Sequence, residues 1–486
     1  MQRNRDGVQK LFRLFGRFNL LIVLITLSLS AKSFEEFQRV QNVEFQTYKD
    51  ANDLAFSKYL KAPWDEYTTT ISPSLYKKQK PKSITPSLQK RINSVGPRVQ
   101  IARVIQKDMN LSLPLKSIKE KKKINFLFFG QKIGFDIDES FRNAKFYPQN
   151  QMGITNFFNT LAAAEYEESV ADIQKIKAEY HLNDWGVYQL VNRLSRSIYS
   201  TPDDVKLFSW FLFNKLGYKV KVGLASKHVV LMYYSKKVIY ATPKFRFDAK
   251  DFYVINSYAK DFSESVFTYK QDYPNATKAL DLALISLPVW KEDLHTKLLT
   301  FKQFSKEYTI HYIYDKNFID FMSTYPQADY ETYFNAPLNQ RSYDAIAKDI
   351  KKYVDGKKSS VAINFVLHFV QKAFLYERDQ DQFNREKVMF AEETLFYAKS
   401  DCEDRAILFA TLVKKLFGIA VVGVKYKDHM ATALYIPMKG DSVKAGLRRF
   451  VIADPTYVNA NIGESMPKYR SKIPEKFIAV QRNEYE

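Results

Sequence analysis

The chain predicts an α+β protein built in several parts, and three observations carry that prediction. Tracts with apolar residues at helical spacing, such as "VYQLVNRLSRSI" at 187–198 and "YDAIAKDIKKYV" at 343–354, are interleaved with tracts that alternate polar and apolar residues as strands do. With 32 tyrosines and 38 phenylalanines, the chain is rich in residues that favour strands and deep packing. Two separated stretches also share one order of features: a helix, a glycine that closes it, a strand, and a second strand opening at histidine.

A chain of 486 residues has room for roughly two to four domains. Its 46% hydrophobic and 26% charged residues place it among globular rather than disordered chains. Residues 1–30 join the basic positions Arg3, Arg5, Lys10, Arg13 and Arg17 to the apolar run "FNLLIVLITLSLS", the outline of a signal peptide with small residues before Ala31. The expected location is therefore periplasmic or extracellular, with retention as an uncleaved N-terminal anchor as the alternative. No cysteine follows the run, which argues against a lipoprotein anchor, and no integral membrane domain is expected after signal cleavage.

The formal charge is +21, and the first thirty residues hold five basic side chains and one acidic, which leaves about +17 for the exported part. Such a balance suits an acidic envelope surface, although general solubility explains it more plainly. Nucleic acid is not an expected partner, because the lysines are dispersed and no zinc-finger spacing exists.

Along the chain, 31–150 reads as an N-terminal segment with a Pro-, Ser- and Lys-rich linker at 72–97 and a hairpin in "KINFLFFGQKIGFDI". Helical spacing dominates 154–198, inside a domain expected over 151–262. Residues 263–335 read as a β-rich connecting segment, including "EYTIHYIYDKNFIDFMSTY", and a C-terminal domain is expected over 336–486. Set beside the C-terminal stretch, the middle one places Pro202 opposite Cys402, His228 opposite His429 and, through "IYATPKF" against "IADPTY", Thr242 opposite Asp454.

Cys402 is the only cysteine, so no internal disulfide exists. Ser400 and Glu403 form an S-x-x-E capping box before "AILFATLV", which puts Cys402 in the first turn of a helix, where the dipole lowers a thiol pKa. His429 follows 27 residues on as candidate base and Asp454 a further 25 as the carboxylate that orients it. Asp401, Glu403 and Asp404 oppose a thiolate, so a cationic partner is required. One cysteine and six scattered histidines supply no metal site, and "DQDQFNRE" at 379–386 lacks the glycine and closing glutamate of a calcium loop. No cofactor is expected.

The order "DCED", "HMA", "ADPTY", with "EKVMFAEETLFYAKS" before it, resembles the transglutaminase-like superfamily of cysteine enzymes over about 371–457. That resemblance implies a papain-like α+β domain at the C-terminus, a degenerate copy in the middle, and Cys402, His429 and Asp454 as nucleophile, acid/base and orienting residue. Ala431 stands where many members carry an aromatic residue. Gln371 is the candidate oxyanion donor, since a side-chain amide can donate to a developing oxyanion. Pro202 and Thr242 leave the middle copy without catalytic chemistry. The expected function is acyl transfer at an amide or peptide bond through a thioester, as protease, amidase or transglutaminase, on a protein, peptide or cell-wall peptide. The alternative is a non-enzymatic periplasmic or cell-surface binding protein that uses such domains as recognition scaffolds.

Overall fold

Two antiparallel sheets, each carrying a helix across its central strands, organise residues 63–486 in the computed structural model, which describes residues 51–76, 78–102, 124–255 and 265–481. The signal-peptide expectation lies outside the described residues. Residues 1–62 are a unit apart from 63–486, and its described part is a helix over 51–61. Among the described residues, no helix is long and apolar enough to cross a membrane.

The chain is α+β. In the middle sheet, helix Pro202–Lys215 leads into strands Val220–Ala225, His228–Tyr234, Pro243–Phe247, Lys250–Tyr253 and Val266–Thr268. In the C-terminal sheet, helix Cys402–Phe417 leads into Val421–Lys425, Met430–Leu434, Ser442–Ala445, Arg448–Ala453 and Lys476–Ala479. Numbered by chain order within each set, both sheets read 5-1-2-4-3 in space, and the middle one adds Asp65–Tyr67 and Thr70–Ile71 at its two edges. Register agrees as well, since Leu224 pairs with Val229 and Lys425 with Met430, so His228 and His429 precede equivalent ladder positions. Each helix ends at a glycine with positive φ, Gly217 or Gly418, which reverses the chain into the first strand.

That topology corrects one expected pairing. Asp454 follows Arg448–Ala453, the strand paired directly to the histidine strand, whereas Thr242 precedes Pro243–Phe247, one strand further out. The position matching Asp454 comes after Tyr253, and Thr242 is not its counterpart.

Three expected boundaries also move. Val266–Thr268 completes the middle sheet, which therefore extends past 262. The β-rich tract ends at Asp315, whose side chain caps helix Lys316–Ser323, because Phe318, Ile319, Phe321 and Met322 fall on one helical face. The hairpin Leu294–Gln303 with Lys306–Asp315 is no connector, since Tyr312 and His311 tie it to Glu392 and Asp349 of the C-terminal part. The hairpin Ile124–Phe128 with Gln131–Phe135 forms as expected, turning at Phe129 and Gly130 with positive φ.

Glu392 is fully buried, and its carboxyl accepts from Tyr312 Oη, the Asn339 backbone N–H and Ser342 Oγ. Burial pushes it up to about 7, although those hydrogen bonds pull the other way. A carboxyl raised in the folded state favours folding below its ordinary pKa and loses that contribution as pH rises through the folded value. Glu392→Gln should therefore gain about 2 kcal/mol relative to the parent between pH 5 and pH 8 in urea titrations. A pH-independent difference between the two proteins would contradict the assignment.

Candidate active site

The cysteine helix starts one residue later than the S-x-x-E pattern predicts. Asp401 is the N-cap, and the N3 residue Asp404 reaches back, its Oδ2 accepting the Asp401 backbone N–H at 3.2 Å. Ser400 Oγ instead accepts from Arg405 Nε at 3.1 Å. Arg405, 1% exposed, also donates to the carbonyls of Gln371 and Phe374, which fixes the preceding helix Ser359–Lys372 against the cysteine turn. Cys402 is thereby the first helical residue, and it is wholly buried.

The helix packs on strand Met430–Leu434, and His429 stands immediately before that strand. His429 Nε2 meets Asp454 Oδ2 at 2.8 Å, and Asp454 Oδ1 accepts the backbone N–H groups of Thr456 and Tyr457 at 2.9 and 3.2 Å. The carboxylate is thus held from the loop side and the imidazole from the carboxylate side. Tyr469 stacks on the imidazole at 4.7 Å between ring centroids, and its hydroxyl donates to Asp428 Oδ1 at 3.0 Å. The other ring nitrogen, His429 Nδ1, is buried and has no hydrogen-bond partner among the described residues, so the imidazole and the thiol are not joined by a hydrogen bond.

Gln371 does not serve the expected oxyanion role. Its amide nitrogen donates to the carbonyls of Asp454 and Ala460 at 2.9 and 3.1 Å, which commits both hydrogens to bracing the Asp454 loop. In the middle sheet, Pro202 is the first residue of its helix, and His228 is highly exposed with Nδ1 3.2 Å from Asp203. Pro202, at the position that Cys402 holds in the other helix, offers no nucleophile.

The side chains that surround the thiol come from the stretch expected to be a linker. Tyr76 and residues 78–102 lie along the C-terminal part: Tyr376 Oη donates to the Pro81 carbonyl, Ser87 N–H to the Val458 carbonyl, and Ser359 N–H to that of Pro97. Ile84 packs on the sheet face formed by Val422, Val424, Ala431 and Ile452. Tyr76 Oη lies 3.8 Å from Cys402 Sγ and donates to Glu403 Oε2 at 3.0 Å, and the thiol donates to the same oxygen at 3.2 Å.

Lys80, 2% exposed along its side chain, places Nζ 3.2 Å from Asp379, 2.7 Å from Asp401 and 3.2 Å from Glu386, and bonds Glu403 as well. Its ring-side neighbour is Tyr76, with Nζ 4.5 Å from the ring centroid. Burial would lower the Lys80 ammonium, but the surrounding carboxylates raise it well above its ordinary value. Burial likewise pushes Glu403 up, and Lys80 more than offsets this, so Glu403 is held low and carries the negative charge. Asp401 and Asp404 are pushed up by burial and by neighbouring carboxylates.

These surroundings correct the expectation of a thiolate. Burial first, then the charges of Glu403 and Asp401, raise Cys402 well above the ordinary thiol range. Lys80, the nearby cation, spends its charge on four carboxylates instead. Tyr76, Lys80 and Tyr469 were not singled out in the sequence, and the hydrophilic composition around the first two gave no signal of burial. Comparison with family models, curated protein sequences and solved structures gives no match.

Proposed function

We propose that the chain is an exported cysteine-dependent acyl-transfer enzyme of transglutaminase-like, papain-like type, with a degenerate copy of the catalytic domain in the middle. The observation that carries this reading is the Asp454–His429 pair, built with Nε2 toward the carboxylate and a buried Nδ1 without a partner among the described residues, His429 standing at the start of the strand packed against the helix that begins at Cys402. The matching 5-1-2-4-3 strand order supports duplication.

In the reaction, His429 Nδ1 takes the thiol proton as Cys402 Sγ attacks the carbonyl carbon of a peptide or carboxamide. The tetrahedral intermediate collapses to a thioester, and His429 returns the proton to the departing amine. Water then attacks the thioester in hydrolysis, or an amine does so in cross-linking, with His429 again accepting the proton. With Gln371 committed elsewhere, the backbone N–H groups of the first turn of the cysteine helix serve as the oxyanion donors in this reading.

Incubating the protein and its Lys80→Ala variant with a peptide library and a labelled amine, against Cys402→Ala controls, tests the reading. Cysteine-dependent cleavage or labelling is the expected result, and identical products from the controls would overturn it. The occluded thiol, raised by burial, favours a second reading, a non-enzymatic periplasmic or cell-surface binding protein that uses such domains as recognition scaffolds and keeps the triad as architecture.

A further inference from the structure

A lysine buried among four carboxylates beside a nucleophile is an expensive arrangement, and Lys80 reaches it from a segment more than 290 residues away in sequence. Asp379 is contributed by the short helix Asp379–Phe383, Glu386 by the loop after it, and Asp401 and Glu403 by the start of the cysteine helix. The two Asp side chains and Glu403 are buried, and among the described residues Asp401 Oδ1 has no hydrogen-bond partner although its Oδ2 holds the ammonium. Glu403 joins this pocket to the thiol, because Oε1 takes the ammonium while Oε2 takes the protons of Cys402 and Tyr76.

From this geometry we infer that Asp379, Glu386, Asp401 and Glu403 form a recognition subsite for the side-chain ammonium of a lysine in an extended peptide, occupied in cis by Lys80. As a statement about substrate class, this rests on the proposed enzymatic function. Tyr76 and residues 78–102 then act as a built-in ligand: the backbone runs along the C-terminal part, Tyr76 covers the sulfur and Lys80 fills the acidic pocket. For any substrate to reach Cys402, this segment must leave, and its departure empties a set of buried acidic oxygens next to the nucleophile. A primary ammonium on a flexible alkyl stem satisfies them with its three N–H donors, as Lys80 does. An ammonium bound in this way stays protonated and has no lone pair, so it positions the substrate and is not the amine that attacks a thioester.

Chemical rescue tests the subsite. In the full chain, Lys80→Ala removes a propylammonium-sized fragment and should lower Tm by roughly 5 °C, since it strips the cation from a buried acidic group. Added n-propylammonium should recover at least half of that loss, and n-propanol and propyltrimethylammonium, which lack the charge or the N–H donors, should recover none. A peptide copying residues 74–84 should slow iodoacetamide labelling of Cys402 in the same variant about tenfold, while the copy with norleucine in place of Lys80 should not. If Lys80→Ala does not fold, Lys80→Met, which retains the apolar stem, serves for the peptide arm.

Failure of both the amine and the peptide would overturn the subsite and leave Lys80 as a structural ion pair. Thermal rescue is also read in Cys402→Ala, where no catalysis exists. An inactive chain with intact rescue thus refutes the enzyme alone, and an active chain without rescue refutes the subsite alone.

Discussion

Iodoacetamide added to the intact protein at pH 7.5 should alkylate Cys402 at least about 100-fold more slowly than it alkylates free cysteine. Only the thiolate reacts, and each unit by which the thiol is raised removes about tenfold of it near neutral pH. Cys402 is raised by burial and by Glu403 and Asp401, its S–H donates a hydrogen bond to Glu403, and no surface of it reaches solvent. Reaction must therefore wait for the segment that carries Tyr76 and Lys80 to open, as well as for ionisation. Tyr76→Ala, which uncovers the sulfur without removing a charge, should raise the rate about tenfold or more, and urea should bring it to that of free cysteine. Rapid labelling of the intact chain below pH 7 would mean a preformed thiolate, as the helix dipole alone suggests, and would refute the closed arrangement.

The contrast between these two expectations shows what the sequence could reveal. Cys402, His429 and Asp454 were legible because each sits at the end of an element with a strong local pattern: an apolar helix closed by Gly418, then strands. The N-cap was displaced by one residue because two candidate pairs, Ser400 with Glu403 and Asp401 with Asp404, overlap, and the competition is settled by tertiary contacts. Arg405 takes Ser400, and Lys80 takes Glu403. Tyr76 and Lys80 were illegible because the contact is long-range, 326 residues apart for Tyr76 and Cys402, and a Pro-, Ser- and Lys-rich stretch reads as solvated. Thr242 was misplaced since a local likeness between "IYATPKF" and "IADPTY" says nothing about which strand of a hairpin lies inside the sheet.

Asp404→Ala should cost about 3–4 kcal/mol of stability, the largest effect expected of any substitution in the cysteine turn outside the thiol's own chemistry. Its Oδ1 accepts the Met389 backbone N–H at 2.9 Å and its Oδ2 that of Asp401 at 3.2 Å, all of them buried. Truncation orphans two buried donors at roughly 1–3 kcal/mol each, and the helix loses its reciprocal cap. Asp404→Asn retains one acceptor but turns an NH2 group toward an N–H, so about half the loss should remain. Urea unfolding followed by circular dichroism measures both, and a shift below about 1 kcal/mol for Asp404→Ala would show that the joint is not structural.

The middle sheet carries the same joint. Asp204 Oδ1 accepts the Phe146 N–H at 2.8 Å, and its Oδ2 accepts the Thr201 hydroxyl at 2.6 Å. No thiol stands beside it. Asp204→Ala should therefore destabilise by a similar amount, because the third residue of each helix does one job in both places: it fastens the helix start to the chain that arrives beside it. If only Asp404→Ala proved costly, the carboxyl would owe its position to the chemistry around Cys402 and not to the fold the two parts share.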